Sequence, residues 1–170
     1  YTNCVEAGDV YREPQMMLKQ IDLDAVIIKP AAYPTGESVP LMVADCSGDK
    51  KLDMVIPWSE STTKNKAQIQ FADALCNRNA PQSVAVTVSH TSSCKLVAYD
   101  ANNNQVDSQT ALKQIVPTTL TLSSKAGIRR IEIIGSEICI QRICWACSTL
   151  PIRPTPTPQR PFDPAEGGCL

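Results

Sequence analysis

The sequence predicts an all-β protein, an antiparallel sandwich of the jelly-roll kind, held by disulfides and followed by an extended proline-rich arm. Three observations predict it. The apolar residues recur with a period of two almost throughout the first 147 residues, as strands with one buried face require. Turn residues punctuate the chain at intervals of roughly 8–15 residues, too close together for the crossover helices of a parallel sheet. The chain carries 8 Cys in 170 residues, an even number that suits an oxidising compartment.

The strands follow in order. Asp24 to Lys29, Pro40 to Ala44, Leu52 to Ile56 and Ala67 to Phe71 each read as a short strand with turn residues between them. From Ser83 to Ser89, Val84, Val86 and Val88 fall on one face and smaller or polar residues on the other. Cys94 to Asp100 and Gln105 to Gln109 are two strands joined by Asn102 to Asn104, and Asn tolerates the left-handed angles of a tight hairpin. Thr118 to Leu122 is β-branched and alternating, Arg130 to Ile134 sets Ile131 and Ile133 against Arg130 and Glu132, and Ile138 to Trp145 closes the series.

The N-terminal stretch reads as an extended segment over residues 1–23, and Pro14 to Ile28 carries Met17, Ile21, Leu23 and Ile27 on one alternating face. Tyr11 to Ile21, which contains Pro14, and Phe71 to Asn77 are the two short helix candidates.

Two units result: a sandwich domain over 1–147 and an arm over 148–170. The arm holds Pro151, Pro154, Pro156, Pro158, Pro161 and Pro164. Proline has no ladder donor, so this stretch cannot enter a sheet interior and reads as polyproline II. Seven cysteines (Cys4, Cys46, Cys76, Cys94, Cys139, Cys144, Cys147) belong to the sandwich and Cys169 to the arm. If the first strand lies beside the last, Cys4 pairs with Cys139 or Cys144, and Cys76 with Cys94 would brace neighbouring strands. Cys169 would pin the arm to a folded surface. The start at Tyr1, without a basic and apolar leader, reads as a mature or excised chain.

The block Ile69–Phe71, Val84–Val88, Leu96–Val106, Gly127–Gly135 and Ile138–Ile143 resembles the galactose-binding-like jelly-roll domains of extracellular proteins. In that family sugars are often bound by loops at one end of the sandwich, and a structural calcium is common. The resemblance therefore implies a fold and an extracellular setting. No ligand motif of the family matches residue by residue, so it transfers no binding residue.

The charge balance, 16 Lys+Arg against 17 Asp+Glu, lacks the positive footprint that nucleic-acid binding needs. No apolar run approaches the length of a membrane span. Nothing points to catalysis: His90 is the only imidazole, four residues before Cys94, without the orienting third group a Cys-His pair needs, and reads as a turn residue. Cys144-x-x-Cys147 has redox spacing, but the prolines that follow block the helix such a motif wants, so both read as halves of structural disulfides. The sequence predicts no catalytic residue and no bound cofactor.

Asp45, Asp49 and Asp53 in one loop and Asp100, Asn102 and Asn104 in another offer oxygen ligands for a structural calcium, against the simpler reading as turn chemistry. Trp58 and Tyr33 lie in loops, where exposed rings could stack on sugars or cap the sandwich ends. Thr155 and Thr157 are candidates for O-linked glycans, whereas no Asn-x-Ser/Thr acceptor occurs.

Two functions fit. The first is a non-enzymatic extracellular subunit that binds other copies of itself head to tail through extended terminal segments, forming a filament or surface assembly. The alternative is a lectin-like, carbohydrate-binding adhesion module with glycans as partners.

Overall fold

A computed structural model describes residues 3–31, 39–58, 65–73, 75–77 and 79–147. Tyr33, Thr155, Thr157, Cys169 and the whole arm lie outside the described residues.

Among the described residues, thirteen strands form two antiparallel sheets. They are β1 (Asn3–Val5), β2 (Gln15–Leu18), β3 (Ile21–Asp22), β4 (Val26–Ala31), β5 (Leu41–Ala44), β6 (Asp53–Ile56) and β7 (Asn65–Phe71). The second half adds β8 (Ser83–Ser89), β9 (Ser93–Tyr99), β10 (Gln105–Ala111), β11 (Thr118–Ser123), β12 (Arg130–Ser136) and β13 (Ile138–Ala146). The first sheet runs β11-β8-β13-β6-β5-β2, with β1 also paired to β13; the second runs β10-β9-β12-β7-β4-β3. From β6 onward the chain crosses between sheets at β6–β7, β7–β8, β8–β9, β10–β11, β11–β12 and β12–β13. This is the jelly-roll-like sandwich the sequence implies.

Alternation explains the core. Val84, Val86 and Val88 are fully buried on β8, as are Leu96 and Ala98 on β9 and Ile131 and Ile133 on β12. Ile140 and Ile143 bury the facing side of β13. Asp100 accepts hydrogen bonds from the backbone N–H of Asn102 (2.8 Å) and Asn104 (2.9 Å), and Asn103 takes φ 63°, so the β9–β10 turn is built as the Asn run predicts.

Four expectations are corrected. Tyr11 to Ile21 is not helical: Pro14 precedes β2, and the one helix among the described residues is a 3-10 turn at Ala7–Asp9. Phe71 to Asn77 holds no helix among its described residues: Phe71 ends β7, and an isolated bridge joins Cys76 to Asn79. Residues 3–22 do not stand apart as an extended segment, because β1 and β2 join the first sheet and β3 the second. The supposed common face of Met17, Ile21, Leu23 and Ile27 is broken by the turn at Asp24 (φ 66°). That hairpin pairs Ile21 with Ile28, burying Val26 and Ile28 and turning Ile27 outward, while Met17 is exposed.

Among the described residues the disulfides are Cys4–Cys144, Cys46–Cys139 and Cys76–Cys147, and all three fasten a distant segment to β13 or the residue after it. Of the two partners open to Cys4, Cys144 is the one used. The Cys76–Cys94 bridge is overturned by position. Cys76 sits in the β7–β8 loop, at the end of the sandwich where β13 finishes, whereas Cys94 opens β9 at the other end and is a buried free thiol.

Candidate functional site

Two surfaces gather chemistry. The first is the outer face of the second sheet. Leu96, Ala98, Ile131, Ile133, Ala67 and Ile69 point into the core, so the residues between them point out. Register places Val97 beside Glu132 and Glu132 beside Gln68, and Tyr99 beside Arg130 and Arg130 beside Gln70.

The polar groups on this face are already organised. The Tyr99 hydroxyl donates to Glu132 Oε1 at 3.1 Å, and Arg130 Nη1 donates to Glu132 Oε2 at 3.0 Å. Arg130 Nη2 donates to Asn103 Oδ1 at 3.3 Å, and its guanidinium lies 3.9 Å from the Tyr99 ring centre. Gln70 Nε2 donates to Gln68 Oε1 at 3.3 Å. Burial, and next the hydrogen bond to Glu132, push the Tyr99 phenol up.

The second surface is the end of the sandwich where β6, β8, β10 and β12 finish. There the chain crosses from β8 to β9 through His90–Ser92, from β10 to β11 through Leu112–Pro117, and from β12 to β13 through Glu137 alone. A one-residue crossing demands unusual backbone, and Glu137 takes φ 55° just after Gly135 at φ 154°. His90 also lies in the left-handed region at φ 49°.

The two longer loops are tied by paired backbone bonds between Thr91 and Gln114, 3.0 Å in each direction. Between them runs a groove of about 680 Å³, lined among others by Thr91, Gln114, Ile115, Val116, Lys113 and Glu137. Ile115 is 71% exposed and Val116 65%. His90 and Glu137 also line a smaller cleft of about 190 Å³ that reaches Trp58, whose indole is 57% exposed. Among the described residues, two buried side-chain polar atoms have no hydrogen-bond partner, Thr91 Oγ1 and Gln114 Nε2, and both belong to residues of this groove.

The sequence candidates sort between these places. Trp58 lies beside the first sheet, against Val55 and the Cys46–Cys139 bridge, and does not meet the Tyr99 face. His90 is an exposed turn residue; its Nδ1 lies 3.2 Å from Ser89 Oγ, but Ser89 is fully buried and presents no accessible nucleophile. Cys144 and Cys147 bond to different distant partners.

Of the two calcium-candidate loops, the first brings carboxylates together: oxygens of Asp45, Asp49 and Asp53 all lie within 4.8 Å of one another. Their hydrogen bonds are those of loop building. Asp45 accepts the backbone N–H of Gly48, Asp49 and Lys50, and Asp53 accepts the Ser47 hydroxyl and N–H. Burial raises the Asp53 carboxyl, while the Lys51 N–H holds Asp49 low. In the second loop Asp100 turns its oxygens on its own turn, which holds it low as well.

Reasoning from sequence missed Tyr99, Arg130 and Glu132 as a group, and Thr91, Gln114 and Glu137. The first three are the polar half of alternating strands, and only register joins them. The apolar Ile115-Val116 in a loop was the available signal for the second group.

The chain matches no protein family and no curated protein. Among solved structures it is similar to a variant of a family 29 carbohydrate-binding module (TM-score 0.49, 11% identity, covering 81% of this chain and 94% of that one). It is also similar to a family 22 module from Clostridium thermocellum (TM-score 0.46, 12% identity, covering 78% and 92%). A family 6 module from Clostridium stercorarium, in complex with cellobiose, aligns at TM-score 0.38 and 10% identity, over 85% of this chain and 93% of that one.

Proposed function

We propose that the protein is a non-catalytic, extracellular carbohydrate-binding module whose sugar site is the outer face of the second sheet. The observation that supports it most is the Tyr99–Arg130–Glu132 network, flanked by Gln68 and Gln70 on the neighbouring strand β7.

Sugar hydroxyls both donate and accept, so they are met best by groups that do each. Arg130 supplies only donors, Glu132 mainly acceptors, and the Gln side chains both. These side chains sit on β7, β9 and β12, the middle of a six-stranded sheet, where backbone ladders on both sides hold each Cα in place. Sites on strands are more precise than sites on loops. The near-neutral chain favours neutral ligands over polyanions, and three disulfides suit a protein working outside the cell.

A glycan array followed by titration calorimetry tests the reading. Binding of a neutral oligosaccharide is expected, weakened at least tenfold by Arg130→Ala. Silence across the array, or an Arg130→Ala variant that binds like the parent, overturns it.

A further inference from the structure

Asn103 stands in the β9–β10 turn at φ 63°, the left-handed region that Gly, Asn and Asp tolerate best. The turn is closed by its neighbours. Asp100 accepts the N–H groups of Asn102 and Asn104 and, at 3.3 Å, the Asn104 side-chain amide. Backbone bonds run from Asp100 N to Asn104 O (3.0 Å) and from Asn103 N to Asp100 O (3.1 Å). None of these uses the Asn103 side chain. Glycine would serve the backbone as well, since it takes positive φ at no steric cost. The side chain reaches elsewhere: its Oδ1 accepts from Arg130 Nη2 at 3.3 Å, across 27 residues of sequence.

The surroundings of Arg130 give that bond its meaning. A planar guanidinium is fixed only when its plane, one point in the plane and its rotation about that point are all set. The Tyr99 ring, 3.9 Å from the guanidinium carbon, limits movement out of the plane. Glu132 Oε2 fixes one point, Nη1, at 3.0 Å. Glu132 lies two residues along the same strand, and a single hydrogen bond is a pivot. Asn103 holds the other terminal nitrogen from a different segment, and so stops rotation about the pivot. The two bonds use two of the five N–H donors, and no described residue takes the other three. The Arg130 side chain is 22% exposed, so part of it borders solvent.

We propose that Asn103 is a positioning residue of the sugar face and, through Arg130, a determinant of which sugars that face takes. The proposal rests on the reading of the face as a sugar site. A guanidinium held at both terminal nitrogens presents its remaining donors in one direction. It then favours a hydroxyl oxygen at one place and loses a bond to an epimer that carries the hydroxyl elsewhere. Tied at Nη1 alone, it would swing to follow either epimer. The amide is uncharged, so this anchor leaves the charge balance of the Arg130–Glu132 pair as it is, in keeping with a neutral ligand.

Two substitutions in the full chain separate this role from turn building. Asn103→Gly keeps the left-handed backbone and deletes the anchor, and a residue kept only for its turn loses nothing by that change. Asn103→Asp restores an oxygen acceptor. The first measurement needs no sugar: nitrogen-15 NMR of the Arg130 guanidinium, whose signals are identified by their absence from Arg130→Ala. Slow rotation, with distinct terminal nitrogens, is expected in the parent and in Asn103→Asp, and averaging in Asn103→Gly. The second is calorimetry with soluble neutral oligosaccharides of glucose, galactose, mannose and xylose. Asn103→Gly should bind the parent's preferred sugar about five- to tenfold more weakly and discriminate less between epimers, while Asn103→Asp stays within about twofold of the parent. An Asn103→Gly chain with the parent's guanidinium signals, or with its affinity and preference, overturns the positioning role. A parent whose guanidinium is held but which binds none of these sugars overturns the sugar reading instead, and the selectivity with it.

Discussion

The outer face of the second sheet and the loop end satisfy their polar groups in opposite ways. On the face, a hydroxyl, a guanidinium and a nearly buried carboxylate answer one another, and the backbone beneath is regular strand. At the loop end, two buried atoms have no partner, and His90 and Glu137 hold left-handed backbone angles. Strand register brings complementary side chains together at no conformational cost. A crossing between sheets must instead reverse the chain in one to six residues, and strain collects there. The face is organised before any ligand arrives, whereas the loop end is held in shape by the packing below it.

The severest way to break that contrast is to disturb what supports the loop end. Gly135 lies opposite Cys94 at φ 154°, and a Cβ there would overlap the Ser93 carbonyl oxygen and crowd Ile138. Gly135→Ala combines backbone strain with overpacking against a main chain that cannot give, and should cost roughly 3 kcal/mol or more. Thermal unfolding should show the loss. A Gly135→Ala protein as stable as the parent would mean that the sheet crossing is looser than described.

The buried thiol beneath the same end gives a pH-dependent handle. Burial pushes Cys94 up to about 12, from an ordinary value of 9.0. The unfolded chain therefore loses this proton first. The contribution is complete below about pH 9 and declines as pH rises toward the folded value, by at most about 1.4 kcal/mol per pH unit. Cys94→Ala should abolish this part of the alkaline decline. Parent and variant denaturant midpoints should converge between pH 9 and 11; parallel curves would show that the thiol is not sealed from water.

How much of this was legible beforehand follows from what sequence encodes. The period of two identified the ten strands from β4 to β13, because each has one face that must be buried. It did not find β1, β2 and β3: strands of two to four residues, pinned by a disulfide, a bulged pairing and a hairpin, have no room for a period. Turn chemistry at Asp100–Asn104 was local and therefore readable. The face network was not, since Tyr99 and Glu132 are 33 residues apart and meet only through register. Nor could spacing choose Cys147 for Cys76, which depends on which end of the sandwich each occupies.

On the polar face, removing a group should always cost. Glu132→Ala leaves the Tyr99 hydroxyl and one Arg130 nitrogen without their acceptor, and a loss of about 1–3 kcal/mol is expected. Tyr99→Phe removes one donor and leaves the carboxylate its bond to Arg130, so about 1 kcal/mol is expected. Denaturant unfolding checks both. Two variants within error of the parent would reduce the face to the ordinary solvated ion pairs that contribute little.

The smallest expected effect is the most discriminating, because its sign reverses between the two regions. Thr91 is 3% exposed, and its hydroxyl oxygen has no partner in the isolated chain. Thr91→Val replaces that hydroxyl by a methyl of nearly the same shape, removing the desolvation penalty and keeping the backbone bonds to Gln114. The variant should gain about 0.5–1 kcal/mol of stability in denaturant unfolding. A gain marks the Thr91 hydroxyl as a group the fold leaves unsatisfied; a loss of stability would place Thr91 with the satisfied groups of the sheet face and end the contrast.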